Sequence, residues 1–206
     1  MVGVTLGVGP GWAECARRAA DAMSQHTGLK CVVLDHWPTP EPLVHAYWAK
    51  LWVQDALPDE DLLLFDADLI CQRDWSPEEL LADHEIAWCR DTSPQIPAEC
   101  VRLGLDPARY GNTGMILIRA GCDVLQEARC YYPSRYVGRW PEQSAVNLVI
   151  RHSKTVGLLD NRYNFIVRKH QHRVAVSGRY GATNLHFVGL RGSEGVKEIQ
   201  QAMGVS

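Results

Sequence analysis

Two aspartates stand directly behind an apolar run, in Leu62-Leu63-Leu64-Phe65-Asp66-Ala67-Asp68. Two carboxylates one residue apart cannot both enter a core without a large desolvation cost. On an extended strand residues i and i+2 share a face, so both can reach one cation. Hard divalent ions such as Mn2+ and Mg2+ take oxygen ligands of this kind. An aspartate pair at this spacing is common by itself. Its position sharpens it, because open α/β sheets bind ligands beyond the carboxyl ends of their strands. A solvated turn is the plain alternative. The second candidate is His186, in Asn184-Leu185-His186-Phe187-Val188-Gly189. Imidazole suits Mn2+ where carboxylates complete the site, although a histidine between apolar residues also reads as a satisfied core side chain. Gly189 would let backbone approach a phosphate closely.

The elements that must position these groups follow from the pattern. Val2 to Val8 reads as a buried strand running into the loop Gly7-Val8-Gly9-Pro10-Gly11. No Gly-Lys-Ser/Thr follows, so this is not a P-loop. Trp12 to Thr27 has helical spacing with Gly28 as its C-cap, and Leu29 to Asp35 is the next strand. Such a strand–helix–strand unit predicts an α/β fold, a parallel sheet with crossover helices. Further helices are expected over Leu43 to Ala56, Pro77 to Ala82 (with Ser76 as N-cap), Asp123 to Cys130 and Glu142 to Ile150. Strands are expected over Leu62 to Phe65, Glu85 to Cys89, Met115 to Ile118, Val156 to Leu159 and Asn184 to Val188. Asp91 to Asp106 reads as a loop with a short helix, Asn161 to Ser177 carries no clear period, and the tail from Glu194 reads as helical.

The 206 residues are 46% hydrophobic and 22% charged, which excludes a disordered or collagen-like chain and fits one domain. The longest apolar stretches are too short to cross a membrane, and the N-terminus lacks a basic and apolar leader. Seven cysteines, none in a C-x-x-C pair, read as reduced thiols of a cytoplasmic protein. Cys122 and Cys130 lack the spacing of a zinc site. The net charge of −3 hides an asymmetry. Residues 1–150 sum to −9, and residues 151–191 sum to +7, from Arg151, Lys154, Arg162, Arg168, Lys169, Arg173, Arg179 and Arg191 against Asp160. That segment can neutralise a diphosphate or a polyanion, or simply scatter over a solvated surface.

Taken in order, the motifs resemble those of glycosyltransferase family 8, within the GT-A nucleotide-sugar glycosyltransferases. The resemblance runs from Val4-Thr5-Leu6-Gly7 through Lys50, Phe65-Asp66-Ala67-Asp68, Asn112-Thr113-Gly114, Glu142-Gln143-Ser144-Ala145-Val146-Asn147 and Leu159-Asp160-Asn161-Arg162-Tyr163-Asn164-Phe165 to His186-Phe187-Val188-Gly189. It implies a single GT-A domain over 1–206, with a Rossmann-like, mixed, mostly parallel sheet flanked by helices. It implies Mn2+ or Mg2+ on Asp66, Asp68 and His186, with Asp66 also near the donor ribose. The donor would be a nucleoside diphosphate hexose, UDP-linked. Thr5, Leu6 and Gly7 would meet its nucleotide, and Lys50, Gly189 and Arg191 its diphosphate. Gln143 and Glu142 would lie at the reacting face of the sugar, with Asn112 and Asp91 on its hydroxyls, and transfer would retain configuration. Two features depart from the family. Glu142 replaces its aspartate, and Leu190-Arg191-Gly192-Ser193 replaces its x-x-K-P-W, leaving Arg191 as the nearest substitute for the lysine. The chain is also short for the family.

The acceptor stays open between a glycan or small glycoside and a modified DNA base or other polyanion held by residues 151–191. Tyr131, Tyr132, Tyr136 and Trp140, interleaved with Arg135 and Arg139, suit either, since sugars and bases both stack on aromatic faces. A non-catalytic nucleotide-binding module of the same fold is the competing class. A nucleotidyltransferase fits less well, because no Gly-rich loop with Arg and Lys follows the first strand.

Overall fold

The computed structural model describes residues 1–9, 11–39, 43, 45–132, 140–151, 155–167 and 181–188. Its centre is a six-stranded sheet in the order β2-β1-β3-β6-β5-β7. The strands are β1 (Val2–Leu6), β2 (Cys31–Leu34), β3 (Leu62–Phe65), β5 (Ile86–Arg90), β6 (Gly111–Ile118) and β7 (Val156–Leu159). Five run the same way, and β6 runs against β3 and β5. The sheet is therefore mixed and mostly parallel, as expected.

β3 is apolar at every position because both of its faces are covered. Leu62 and Leu64 join a core with Val124, Leu125 and Ala128 of α5 (Val124–Ala128) and Ala145, Val146 and Leu148 of α6 (Pro141–Ile150). Leu63 and Phe65 face Ala19, Ala20 and Met23 of α1 (Trp12–Thr27) and Leu81 of α3 (Pro77–Leu81). α1 ends at Gly28, whose φ of 72° lets its N–H reach Ser24 O at 2.9 Å. α3 is capped by Ser76, which accepts from the Glu79 N–H at 3.4 Å. Two further short α-helices among the described residues are α2 (Val53–Ala56) and α4 (Ile96–Leu103).

A second sheet, β4 (Leu69–Cys71), β9 (Asn184–Phe187) and β8 (Phe165–Val167), sits against Cys15 and Ala16 of α1. Neither β4 nor β8 is anticipated by the sequence. Each is three residues long, too short to show a period.

Two further expectations change. Leu43 to Ala56 is not one helix. Ala46–Trp52 winds as 3₁₀ turns before α2, and it buries four consecutive residues, Trp48 to Leu51. A segment enclosed on several sides takes its winding from its neighbours rather than from one amphipathic face. The helix expected over Asp123 to Cys130 ends at Ala128 in a 3₁₀ turn, Arg129–Tyr131. All seven cysteines are unpaired, and burial pushes the Cys31 thiol up to about 11 and the Cys89 thiol to about 12. Among the described residues no helix is long and apolar enough to cross a membrane. The tail from Glu194 and most of the basic residues of 151–191 lie outside the described residues.

Candidate functional site

Asp66 and Asp68 do not sit on an extended strand. β3 stops at Phe65, and a turn closed by the Leu69 N–H on Asp66 O (3.0 Å) carries the chain into β4. The two carboxylates meet because this turn folds them together, not because strand alternation puts them on one face. The turn also joins the two sheets. β4 pairs with β9 in a register that sets Leu69 opposite His186, and the Phe187 N–H donates to Asp68 O at 3.0 Å. The imidazole is thereby delivered to the carboxylates across 118 residues of sequence. His186 Nε2 lies 3.3 Å from Asp68 Oδ1 and 3.5 Å from Asp66 Oδ2. One ligand atom from each of the three residues falls within 4.8 Å of the others, a spacing that one metal ion can bridge.

Burial alone would lower the His186 pKa, but the carboxylates of Asp68 and Asp66 outweigh it and hold the imidazole up at about 10. Burial would likewise raise the Asp66 carboxyl. Lys50 and His186 overcome that and keep it far below the usual carboxylate range. Lys50 is not on a solvated helix face. It is 7% exposed, its ammonium 2.5 Å from Asp66 Oδ1 and 3.6 Å from Glu142 Oε1, and it donates to Thr113 O at 3.2 Å. The two carboxylates raise its pKa against the pull of burial.

On the other side of Lys50 lies a closed polar cluster. Thr113 donates through Oγ1 to Glu142 (2.9 Å) and through its N–H to Gln143 Oε1 (3.1 Å). Gln143 Nε2 donates to Asp91 Oδ2 (2.9 Å), and so does Asn112 Nδ2 (3.0 Å), while the Ser93 N–H holds Asp91 Oδ1 (2.8 Å). Asn147 clamps β6 by accepting from the Gly111 N–H and donating to Gly111 O. The amides of Asn112 and Gln143 are thus engaged by protein groups at both ends. Gly114 makes room for the metal-side group, since a Cβ there would fall on the His186 ring.

Of the first-strand residues, Thr5 is wholly buried with an unpartnered hydroxyl, Leu6 packs against the α5/α6 core, and Gly7 lies close to Ala13 of α1. Gly189 and Arg191 lie outside the described residues, as do Tyr136, Arg135 and Arg139. The structure thus brings together Asp66, Asp68, His186, Lys50, Glu142, Gln143, Asn112 and Asp91. It adds two residues for which the sequence reading had no role, Thr113 and Asn164. Both stand inside quoted motifs, but nothing in their spacing says what they bond.

No protein-family model and no curated protein sequence matches the chain. Solved structures do. The galactosyltransferase LgtC, in complex with donor and acceptor sugar analogues, superposes with a TM-score of 0.65 at 14% identity, over 99% of this chain and 95% of that one. A glycosyltransferase involved in glycosylation of the major capsid of PBCV-1 gives 0.68 at 13% identity, over 97% and 98%. The glycosyltransferase GlyE of Streptococcus pneumoniae TIGR4 gives 0.61 at 14%, over 91% of this chain and 54% of that one. With its mixed sheet and with two carboxylates and an imidazole gathered at the end of β3, the chain has the GT-A fold of these glycosyltransferases.

Proposed function

We propose that the chain is a metal-dependent glycosyltransferase. In this reading it moves a hexose from a UDP-linked donor to a hydroxyl of a glycan or small glycoside, with retention, on a single domain. The observation that carries it is the convergence of Asp66, Asp68 and His186 at the carboxyl end of a central strand.

Two carboxylates and one imidazole are a donor set that Mn2+ accepts well, and Mg2+ less so because of the nitrogen. A bound divalent ion supplies Lewis acidity that offsets the negative charge gathering on a departing diphosphate. Lys50 adds a second positive charge, and its bonds to Asp66, Glu142 and Thr113 O keep it at a fixed position. Preorganised charge of this kind is worth about 2.7–4 kcal/mol at a barrier. Asp91, Asn112, Glu142 and Gln143 form the sugar side. Their mutual hydrogen bonds hold them as a rigid frame, so they orient a donor without rearranging. In the same reading Asp66 would meet the donor ribose, Thr5, Leu6 and Gly7 would line the nucleotide side, and Gly189 and Arg191 would meet the diphosphate.

The test is incubation with Mn2+ and a panel of UDP-sugars, reading released UDP. The expected result is Mn2+-dependent release from one sugar, abolished by chelator and by Asp68→Ala. Binding of Mn2+ and UDP without release from any donor, alone or with glycoside acceptors, would assign the chain to the non-catalytic class instead.

A further inference from the structure

We infer that Asn164 is a positioning residue that sets the tautomer of His186, through a hydrogen-bond chain that starts at Asp91; the inference rests on the metal reading above. The polarity of the chain is fixed at its origin. The Gly114 N–H can only donate, so the end of Asn112 it meets at 2.8 Å is Oδ1. The other end of Asn112 is then its NH2 group, which donates to Asp91 Oδ2 at 3.0 Å. Asn164 meets Asn112 Oδ1 at 2.8 Å and must present its own NH2 there. Its oxygen is then left facing His186 Nδ1 at 2.9 Å. An acceptor at that position requires the proton on Nδ1. Nε2, the nitrogen turned toward Asp66 and Asp68, is therefore the one that can ligate a metal. Asn164 is 3% exposed and Asn112 7%, so water does not compete for these bonds.

The chain also ties the sugar side of the site to the metal side. Asp91 holds Gln143 and Asn112 with the same carboxylate oxygen, and Asn112 passes the constraint to His186 through Asn164.

The experiment measures Mn2+ affinity of the full chain from the free-ion EPR signal. Asn164→Leu, which offers Nδ1 no acceptor, is expected to weaken Mn2+ binding about 10–100-fold. Asn164→Asp still accepts from Nδ1–H but no longer donates to Asn112. It is expected to stay within about threefold of wild type in Mn2+ affinity while losing as much thermal stability as the leucine variant. Equal loss of affinity in both variants, or in neither, overturns the inference. A second measurement needs no Asn164 variant. Long-range 1H–15N NMR of the Zn2+-loaded wild type should place the His186 proton on Nδ1, the resonance being assigned by its absence in His186→Gln. A proton on Nε2 overturns the inference alone. A wild-type chain that takes up neither Mn2+ nor Zn2+ overturns the metal reading with it.

Discussion

Asp66 and Asp68 keep 26% and 17% of their side chains exposed and turn their oxygens on a histidine that is almost fully buried. Next to them, Asp91, Asn112, Thr113, Gln143 and Asn147 are nearly sealed from water, and every amide among them is bonded to another protein group. The metal side has clustered acceptors and too few donors, so it gains from a cation. The sealed side is hydrogen-bonded internally, and leaving any one of its buried groups unpaired costs about 1–3 kcal/mol. The first arrangement is built to receive something and the second to stay put. Away from the Asn112–Asn164 chain that links them, substitutions on the two sides should therefore divide between ligand affinity and stability.

The division is hardest to miss at Asp68. Asp68→Ala removes a direct ligand, so Mn2+ affinity should fall by more than the roughly 100-fold of an indirect partner. Its melting temperature should fall less than that of a sealed-side variant: one of two like charges has gone, although the buried His186 imidazole also loses the nearer of its two carboxylate partners. Loss of fold together with affinity would erase the distinction. Lys50→Met comes next, at the boundary of the two sides. It leaves the Asp66 and Glu142 carboxylates without their counter-charge and should cost about 3 kcal/mol in urea unfolding. Adding Glu142→Gln should return part of this, since the glutamine oxygen can still accept from Thr113.

Proton uptake by the metal side gives a smaller effect. The His186 pKa stands at about 10 in the metal-free protein against an ordinary 6.5. A raised folded-state pKa contributes stability that is fully present below 6.5 and lost as pH rises through 10. Thermal stability of the metal-free protein should therefore drop between pH 7 and pH 8, by at most about 1.4 kcal/mol for one proton. His186→Gln should lack that slope. Saturating Mn2+ should flatten it as well, because the ion takes the place of the proton.

The two sides also differ in how far they could be read from sequence. The frame of the fold was legible where elements are long or carry a cap: the apolar run Leu62 to Phe65, the helix closed by Gly28, and the N-cap at Ser76. The residue types of the metal trio were legible too, because carboxylates behind an apolar strand are costly without a purpose. Their geometry was not. The turn at Asp66 and the register of β4 on β9 arise from pairing across 118 residues, and three-residue strands leave no pattern. The sealed side was legible only as motif resemblance. The resemblance makes Glu142, Gln143 and Asn112 sugar contacts, yet what defines them is which neighbours consume their hydrogen bonds. That is a property of packing, and Asn164, 52 residues from Asn112, shows how little local spacing reveals it.

Tyr110→Phe gives the smallest effect and the cleanest separation. The Tyr110 hydroxyl shares a hydrogen bond of 2.8 Å with Ser144 Oγ at the back of the sealed side, and burial raises its pKa. Phenylalanine keeps the ring in its contacts with Ile96 and Cys100. Ser144 keeps a second partner in Glu99, at 3.4 Å, so no buried donor is stranded. The loss is then that of one net hydrogen bond, about 1 kcal/mol in urea unfolding. Mn2+ affinity should be unchanged, because the Gln143 amide, which the hydroxyl also meets, keeps its bonds to Thr113 and Asp91, and Asn112 keeps its own bond to Asp91. A fall in affinity would mean that coupling to the metal ligands is not confined to the Asp91–Asn112–Asn164 chain and extends to the back of the sealed side.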